Sequence, residues 1–155
     1  MCGISGVAGT LRTERRALQG MNDALLHRGP DGEGSWIHPE ERVAFAHRRL
    51  KIIDLETGDQ PMTDADGAWL AYNGEVYNYR ELRREIGDAA FRTHSDTEVV
   101  LQGYRRWGLD VLTRLRGMFA FGLWDESSQS LLLARDPFGI KPMYWATVGD
   151  VLYFA

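Results

Sequence analysis

The chain has 155 residues with 44% hydrophobic and 26% charged content and a net charge of −4, the balance of a single globular domain with a sizeable core. No basic block favours nucleic acid or an anionic membrane, and no apolar run reaches transmembrane length. A single cysteine forms no internal disulfide, and nothing at the N-terminus resembles a signal peptide, so a reducing cytoplasm is the expected compartment.

That cysteine, Cys2, directly follows the initiator methionine. Removal of Met1 would leave a thiol and a free α-amine on one residue, a nucleophile that carries its own base because an α-amine titrates near pH 8. A chance cysteine on a frayed terminus is the alternative at this point. Gly3 to Ala8 reads as a short buried strand closed by Gly9, holding Cys2 at a sheet edge. Thr13 is a plausible N-cap for a helix with Leu18, Met21 and Leu25 on one side. The run from His27 to Gly34 holds three glycines, a proline and two acids and reads as a loop. A mobile flap over a site fits it better than a phosphate loop, since no strand leads into the glycines and no helix follows.

Trp36–His38 and Val43–Leu50 read as strands joined by Pro39-Glu40-Glu41. Alternation in the second puts Val43, Phe45, His47 and Arg49 on one face and Ala44, Ala46 and Arg48 on the other. Ile52 and Ile53 extend the apolar character before the turn Gly58–Pro61, and Asp64–Gly67 turns into a strand Ala68–Tyr72 that ends at Asn73-Gly74-Glu75. By itself Asn73-Gly74 is a strong hairpin signal. Tyr77–Ile86 is a charged helix, and Ser95-Asp96-Thr97-Glu98 is a capping box opening a helix with Val100, Leu101, Tyr104 and Trp107. A short helix Leu109–Leu115 precedes a hairpin of Met118–Trp124 and Ser130–Ala134, a rigid loop Arg135–Pro142, and strands Met143–Ala146 and Val151–Ala155. The order of strands, helices and strands predicts two sheets with helices outside them. The four histidines have no ligand spacing, so no metal site is expected.

Taken together, Cys2-Gly3-Ile4, His27-Arg28-Gly29-Pro30-Asp31, His47-Arg48-Arg49-Leu50, Asn73-Gly74-Glu75-Val76-Tyr77-Asn78, Ser95-Asp96-Thr97-Glu98, Gly117-Met118-Phe119-Ala120-Phe121 and the stretch Arg135–Pro142 make the chain resemble a class II glutamine amidotransferase domain over residues 2–155. Within that family it is most similar to the glutaminase domain of glutamine-hydrolysing asparagine synthetases. The resemblance implies an α+β, N-terminal-nucleophile hydrolase fold: an αββα sandwich of two stacked antiparallel sheets flanked by helices. It implies hydrolysis of L-glutamine through a Cys2 thioester, with the Asn73 amide and the Gly74 N–H as oxyanion donors. Arg49 would hold the α-carboxylate, Asp96 and Glu75 the α-ammonium, and Leu50, Ile52 and Ile53 would line the pocket. Gly74 is expected to be glycine because a side chain would block the reacting carbonyl or spoil the backbone angle that aims the N–H. Arg48, beside the anchor, is expected to be a solvated or interface charge.

The resemblance implies no cofactor for this domain; ATP and Mg belong to a synthetase domain absent from this chain. The chain is expected to be the glutaminase portion of a longer protein, with that C-terminal synthetase domain as its partner, asparagine as the product, and a homodimer compatible with the family. An acceptor other than aspartate (a sugar, peptide or antibiotic precursor) and a non-catalytic scaffold are the alternatives.

Overall fold

A computed structural model describes residues 2–9, 14–51 and 57–155. Among the described residues, nine strands and four α-helices follow one another as β1 (Gly3–Ala8), α1 (Arg15–Ala24), β2 (Gly32–Ile37), β3 (Val43–Arg49), β4 (Met62–Thr63), β5 (Ala68–Val76), α2 (Tyr79–Ile86), α3 (Asp96–Trp107), α4 (Val111–Arg114), β6 (Gly117–Asp125), β7 (Ser130–Arg135), β8 (Trp145–Val148) and β9 (Val151–Phe154). They form a five-stranded sheet in the order β2-β3-β1-β9-β8 and a four-stranded sheet in the order β4-β5-β6-β7, with every pairing between these strands antiparallel.

Period-two alternation sorts side chains into three apolar layers. Ile4, Val43, Phe45, Ala71, Ala120, Trp124 and Phe154 are buried between the sheets. Leu70, Tyr72, Phe119, Phe121 and Leu123 point from the other face of the four-stranded sheet toward Leu82 of α2 and Val99, Val100 and Leu101 of α3. Val7, Ala44 and Ala46 receive Leu18 of α1 on the outer face of the five-stranded sheet. The expected layering, helix outside two stacked antiparallel sheets, is therefore the observed one.

Several local expectations shift. β1 is the central strand of its sheet, so Cys2 sits at the end of a central strand instead of on an edge. α1 starts at Arg15 behind Glu14, which makes no side-chain cap bond, while Thr13 lies outside the described residues. The glycine run is less of a loop than expected, because Leu26–Arg28 is a short 3-10 turn and Gly32, Glu33 and Gly34 are already in β2, paired with Arg49, Arg48 and His47. Two of these glycines serve close backbone approach: a Cβ would lie 2.3 Å from the Arg48 carbonyl carbon at Gly29 and 2.0 Å from the Gln60 carbonyl oxygen at Gly34.

Asn73-Gly74 forms no turn. β5 runs through both residues to Val76 because β6 pairs with it continuously from Ala68↔Asp125 to Val76↔Gly117, and that ladder outweighs the local hairpin preference. The capping box is also rearranged. Ser95 Oγ accepts from Thr97 N, whereas the Glu98 carboxylate reaches past the cap to accept from the Arg92 and Thr93 N–H groups and the Thr93 hydroxyl.

Candidate active site

Ile4 of β1 and Ala71 of β5 are both buried in the layer between the sheets. Cys2 is two residues before Ile4 and Asn73 two residues after Ala71, so strand alternation turns both toward the same end of that layer. His47 and Arg49 share the inward face of β3 with Val43 and Phe45, and α3 begins at Asp96 beside β5. The result is a cleft of about 90 Å3 lined by Cys2, Arg49, Leu50, Gly58, Gln60, Tyr72, Asn73, Gly74, Glu75, Ser95, Asp96, Thr97, Met118 and Lys141. It thus gathers Cys2, Arg49, Leu50, Asn73, Gly74, Glu75 and Asp96, which the sequence singled out from widely separated segments. Ile52 and Ile53, singled out with them, lie outside the described residues.

Cys2 is half-buried, and its thiol faces the Leu50 backbone, 3.4 Å from the N–H and 3.6 Å from the carbonyl oxygen. Its own carbonyl accepts from Arg28 Nε at 3.3 Å. Arg49 is only 5% exposed, and Nη1 donates to the Asp59 carboxylate at 2.6 Å. Arg48 points the opposite way, as alternation requires, and of the two roles expected, solvated or interface charge, it is not solvated. It is buried under α1, donates to the Asn22 carbonyl, and pairs with Asp23 and Glu33 at 2.8 and 2.6 Å. Its work is to tie α1 and β2 to β3, and a charge buried without such partners would be costly.

Asp96 combines its position at the helix start with tertiary contacts. It is buried, and Oδ2 accepts from the Tyr72 hydroxyl at 2.8 Å and from the Val76 N–H at 2.9 Å. Burial pushes its carboxyl above the usual range, against the pull of those two bonds, and the nearby charge of Glu75 adds to the rise. The same burial, reinforced by Asp96, drives the Tyr72 phenol well up, so this hydroxyl remains a donor. Gln60 braces the backbone here, accepting from Tyr72 N at 2.7 Å while its amide donates to Thr97 Oγ1 at 3.3 Å. The fully buried His47 faces the Tyr72 carbonyl oxygen at 3.1 Å, and burial lowers its pKa to about 4, so it is neutral at pH 7.

The structure supplies a reason for glycine at position 74 that the sequence did not give. A Cβ there would lie 2.4 Å from the Met118 carbonyl oxygen and 2.7 Å from Phe119 Cα, so the constraint is close approach to β6, and Gly74 is not among the glycines with positive φ.

Among the lining residues that the sequence did not single out are Gln60 and Lys141. Gln60 looked like part of a turn, and Lys141 like part of a rigid loop. Lys141 is 2% exposed and reaches the cleft because the Asp136 carboxylate accepts from the backbone N–H groups of Phe138, Ile140, Lys141 and Phe119, which folds the loop against β6. Burial and the neighbouring charge of Arg28 lower the Lys141 pKa, while Cys2, Glu75 and Asp136 pull the other way. The signal was available in the Asp136-Pro137-Phe138-Gly139 spacing, an acid followed by turn residues whose N–H groups can wrap it. Among the described residues, no group of three His, Cys, Asp or Glu is arranged to hold a metal ion, and no helix is long and apolar enough to cross a membrane.

Comparison with known proteins agrees with this geometry. The chain is 45% identical over its whole length to "Asparagine synthetase [glutamine-hydrolyzing] 1" of Bacillus subtilis and covers 26% of that protein. It is 40% identical over 99% of its length to "Asparagine synthetase [glutamine-hydrolyzing] 2" of Arabidopsis thaliana, covering 27% of it, and 39% identical over its whole length to "Amidase chry2" of Gibberella zeae, covering 25%. The chain therefore spans about a quarter of the length of these relatives. Its fold matches the solved structure of glutamine phosphoribosylpyrophosphate amidotransferase from B. subtilis with a TM-score of 0.77 at 21% identity, over 99% of this chain and 41% of that one. With the glutamine amidotransferase domain family also matching residues 1–155, the chain belongs to that family.

Proposed function

We propose that this domain hydrolyses L-glutamine to glutamate and ammonia at the cleft between the sheets. The observation that carries the proposal is one small cleft lined by a cysteine and an Asn-Gly pair, with a buried arginine and a buried carboxylate in its walls. After removal of Met1, the Cys2 amine takes the thiol proton and the thiolate attacks the side-chain amide carbon. The Asn73 amide and the Gly74 N–H donate to the tetrahedral oxyanion, and the amine returns its proton to departing ammonia. Water then hydrolyses the thioester through the same oxyanion site. Arg49 receives the α-carboxylate, Asp96 and Glu75 receive the α-ammonium, and Leu50 contributes backbone and apolar wall. A zwitterionic head bound at both charges explains why a plain amide would be a poor substrate.

In the longer protein the ammonia goes to a synthetase domain that makes asparagine from aspartate, a reading supported by the names of the relatives and by their extra length. ATP and Mg belong to that domain, the glutaminase step itself uses no cofactor, and the reaction runs in a reducing cytoplasm. Phe138, Ile140, Tyr144, Trp145 and Val148 are large exposed apolar side chains on the β7–β8 connection and on β8, the kind of surface a second domain or a second copy covers.

The test is intact-mass analysis before and after treatment with 6-diazo-5-oxo-L-norleucine, with Cys2→Ala as control. Loss of Met1 and one adduct that vanishes in the control are expected. A processed chain that stays unlabelled while folded would overturn the proposal.

A further inference from the structure

β4 covers only part of β5. It pairs Met62 with Leu70 and Thr63 with Trp69, while β5 runs on to Val76 with β6 along its other side, and no other described strand flanks it. In an antiparallel ladder every second residue turns its N–H and C=O to the same neighbour. The Tyr77 N–H donates to the Arg116 carbonyl oxygen at 2.7 Å, on the β6 side, so Tyr72, Gly74 and Val76 turn theirs to the side that β4 has left. Backbone groups that lose a strand need other partners. Side chains supply them here. Gln60, which falls opposite Tyr72 when the β4 register is continued, accepts the Tyr72 N–H through Oε1 at 2.7 Å. His47 Nε2 faces the Tyr72 carbonyl oxygen at 3.1 Å, an acceptor only, which fixes the ring proton on Nε2. Asp96 Oδ2 accepts the Val76 N–H at 2.9 Å. Gly74 stands between these tethers, in the wall of the cleft.

We propose that His47 and Gln60 are positioning residues for the Gly74 N–H: by taking the Tyr72 carbonyl and N–H in place of a strand, they hold β5 along its unpaired stretch and keep the Gly74 N–H open to the cleft. A continued β4 would fill that edge, whereas side chains reaching from either side leave room for a ligand atom. The tethers also join the parts of the site. His47 stands two residues before Arg49 on β3, and the Gln60 amide donates to Thr97 Oγ1 at 3.3 Å, next to Asp96 on α3. The purpose rests on the glutaminase reading, in which the Gly74 N–H meets the oxyanion, but the geometry is measurable without it.

The test is amide NMR on the nitrogen-15-labelled chain after removal of Met1, with glutamate release measured on the same samples. In the wild type, hydrogen exchange corrected for sequence should be slower at Tyr72 and Val76 than at Gly74 between them, by about tenfold or more. Gln60→Met and His47→Leu should each shift and broaden the Gly74 cross-peak and lower kcat about tenfold with KM within a few-fold, less than a full displacement of about 1 Å would cost. His47→Gln, which can place an amide N–H near the ring Nε2 position, should restore both. Arg48→Met, weakened on the outer face of the other sheet, should change neither, as would any loss of stability alone. A Gly74 N–H as protected as its neighbours, an unmoved Gly74 peak in a folded variant, or a moved peak with unchanged kcat overturns the inference. The exchange comparison stands even where a variant does not fold. If exchange and peaks follow the expectation but the wild type releases no glutamate, the positioning holds and the proposed function fails.

Discussion

Gly74→Ala is the sharpest probe of the proposed oxyanion site. The added Cβ would lie 2.4 Å from the Met118 carbonyl oxygen, 2.7 Å from Phe119 Cα and 2.8 Å from Phe119 Cβ. Two of these atoms are backbone and the third is attached to it, so no side-chain rotation relieves the contact. β5 and β6 must separate locally by about 1 Å to reach ordinary contact distance, a strain that typically costs about 1–3 kcal/mol of stability. The same displacement moves the Gly74 N–H, and a 1 Å error in a reacting geometry costs on the order of a hundredfold in rate. The assay is glutamate release for kcat and KM, with urea unfolding alongside. The expected result is a folded protein with kcat down about a hundredfold and KM within a few-fold, because the lost interaction belongs to the transition state. Gly103→Ala is the control, since its Cβ would meet Val111 Cγ2 at 2.8 Å inside the helical layer, lowering stability but not kcat. A Gly74→Ala protein with full kcat would refute the role given to this N–H.

The two adjacent arginines should separate cleanly. Arg49→Lys raises KM for glutamine about tenfold or more by removing a planar fork, whereas Arg48→Met lowers the melting temperature, by about 1–3 kcal/mol in stability, and leaves KM alone because its partners Asp23, Glu33 and Asn22 hold α1 and β2. Asp96→Asn should raise KM at least tenfold yet leave the protein as stable or more so at pH 7. Asp96 has a folded pKa above its unfolded value, so its ionisation weakens the fold at high pH. The stability advantage of the variant in urea unfolding should therefore shrink as pH falls through the raised pKa. For His47 the folded pKa is lowered to about 4 from 6.5, so its contribution is present above pH 6.5 and is lost as pH falls toward 4. That loss is on the order of 3 kcal/mol, and His47→Gln should flatten the urea midpoint across this window. Asp59→Asn should lower KM severalfold, because the Asp59 side chain is 84% exposed and competes for Arg49 at a contribution of only about 0–1 kcal/mol; a raised KM would mean that Asp59 orients the guanidinium instead.

Strand alternation in the sequence separated Arg49 from Arg48, since a period of two needs only the burial of Val43 and Phe45 to assign faces. It did not reveal what lay over the other face, so a solvated and an interface role for Arg48 both stayed open, and α1 in fact covers it. The hairpin alternative at Asn73-Gly74 fails because that preference is local, whereas the β5–β6 ladder that overrides it pairs Asn73 with Ala120, far along the chain. Gln60 was invisible for the same reason, and Lys141 was signalled only by the turn spacing after Asp136. One spans Tyr72 and Thr97 with its amide, the other is placed by Asp136, and neither relation has a periodicity. Cys2, by contrast, was marked as a candidate by its position at the chain terminus, and the resemblance over the rest of the chain decided between a nucleophile and a chance cysteine.

The buried charges of the cleft have internal hydrogen-bond partners drawn from more than one element. Asp96 is held by Tyr72 and Val76 of β5, and Arg49 is met by Asp59. These contacts fix both ends of a binding site before any ligand arrives, so little ordering entropy remains to be lost on binding. They differ in one respect that matters for turnover. The Asp96 contacts come from buried groups and persist when an ammonium arrives, while the Arg49 contact comes from a mostly exposed carboxylate that a substrate carboxylate can displace. If Asp96 receives the ammonium and Arg49 the carboxylate, as proposed, the ammonium subsite is the rigid reference and the carboxylate subsite the exchangeable one. Discrimination against amides lacking an α-amine should accordingly be stronger than discrimination against those lacking an α-carboxylate.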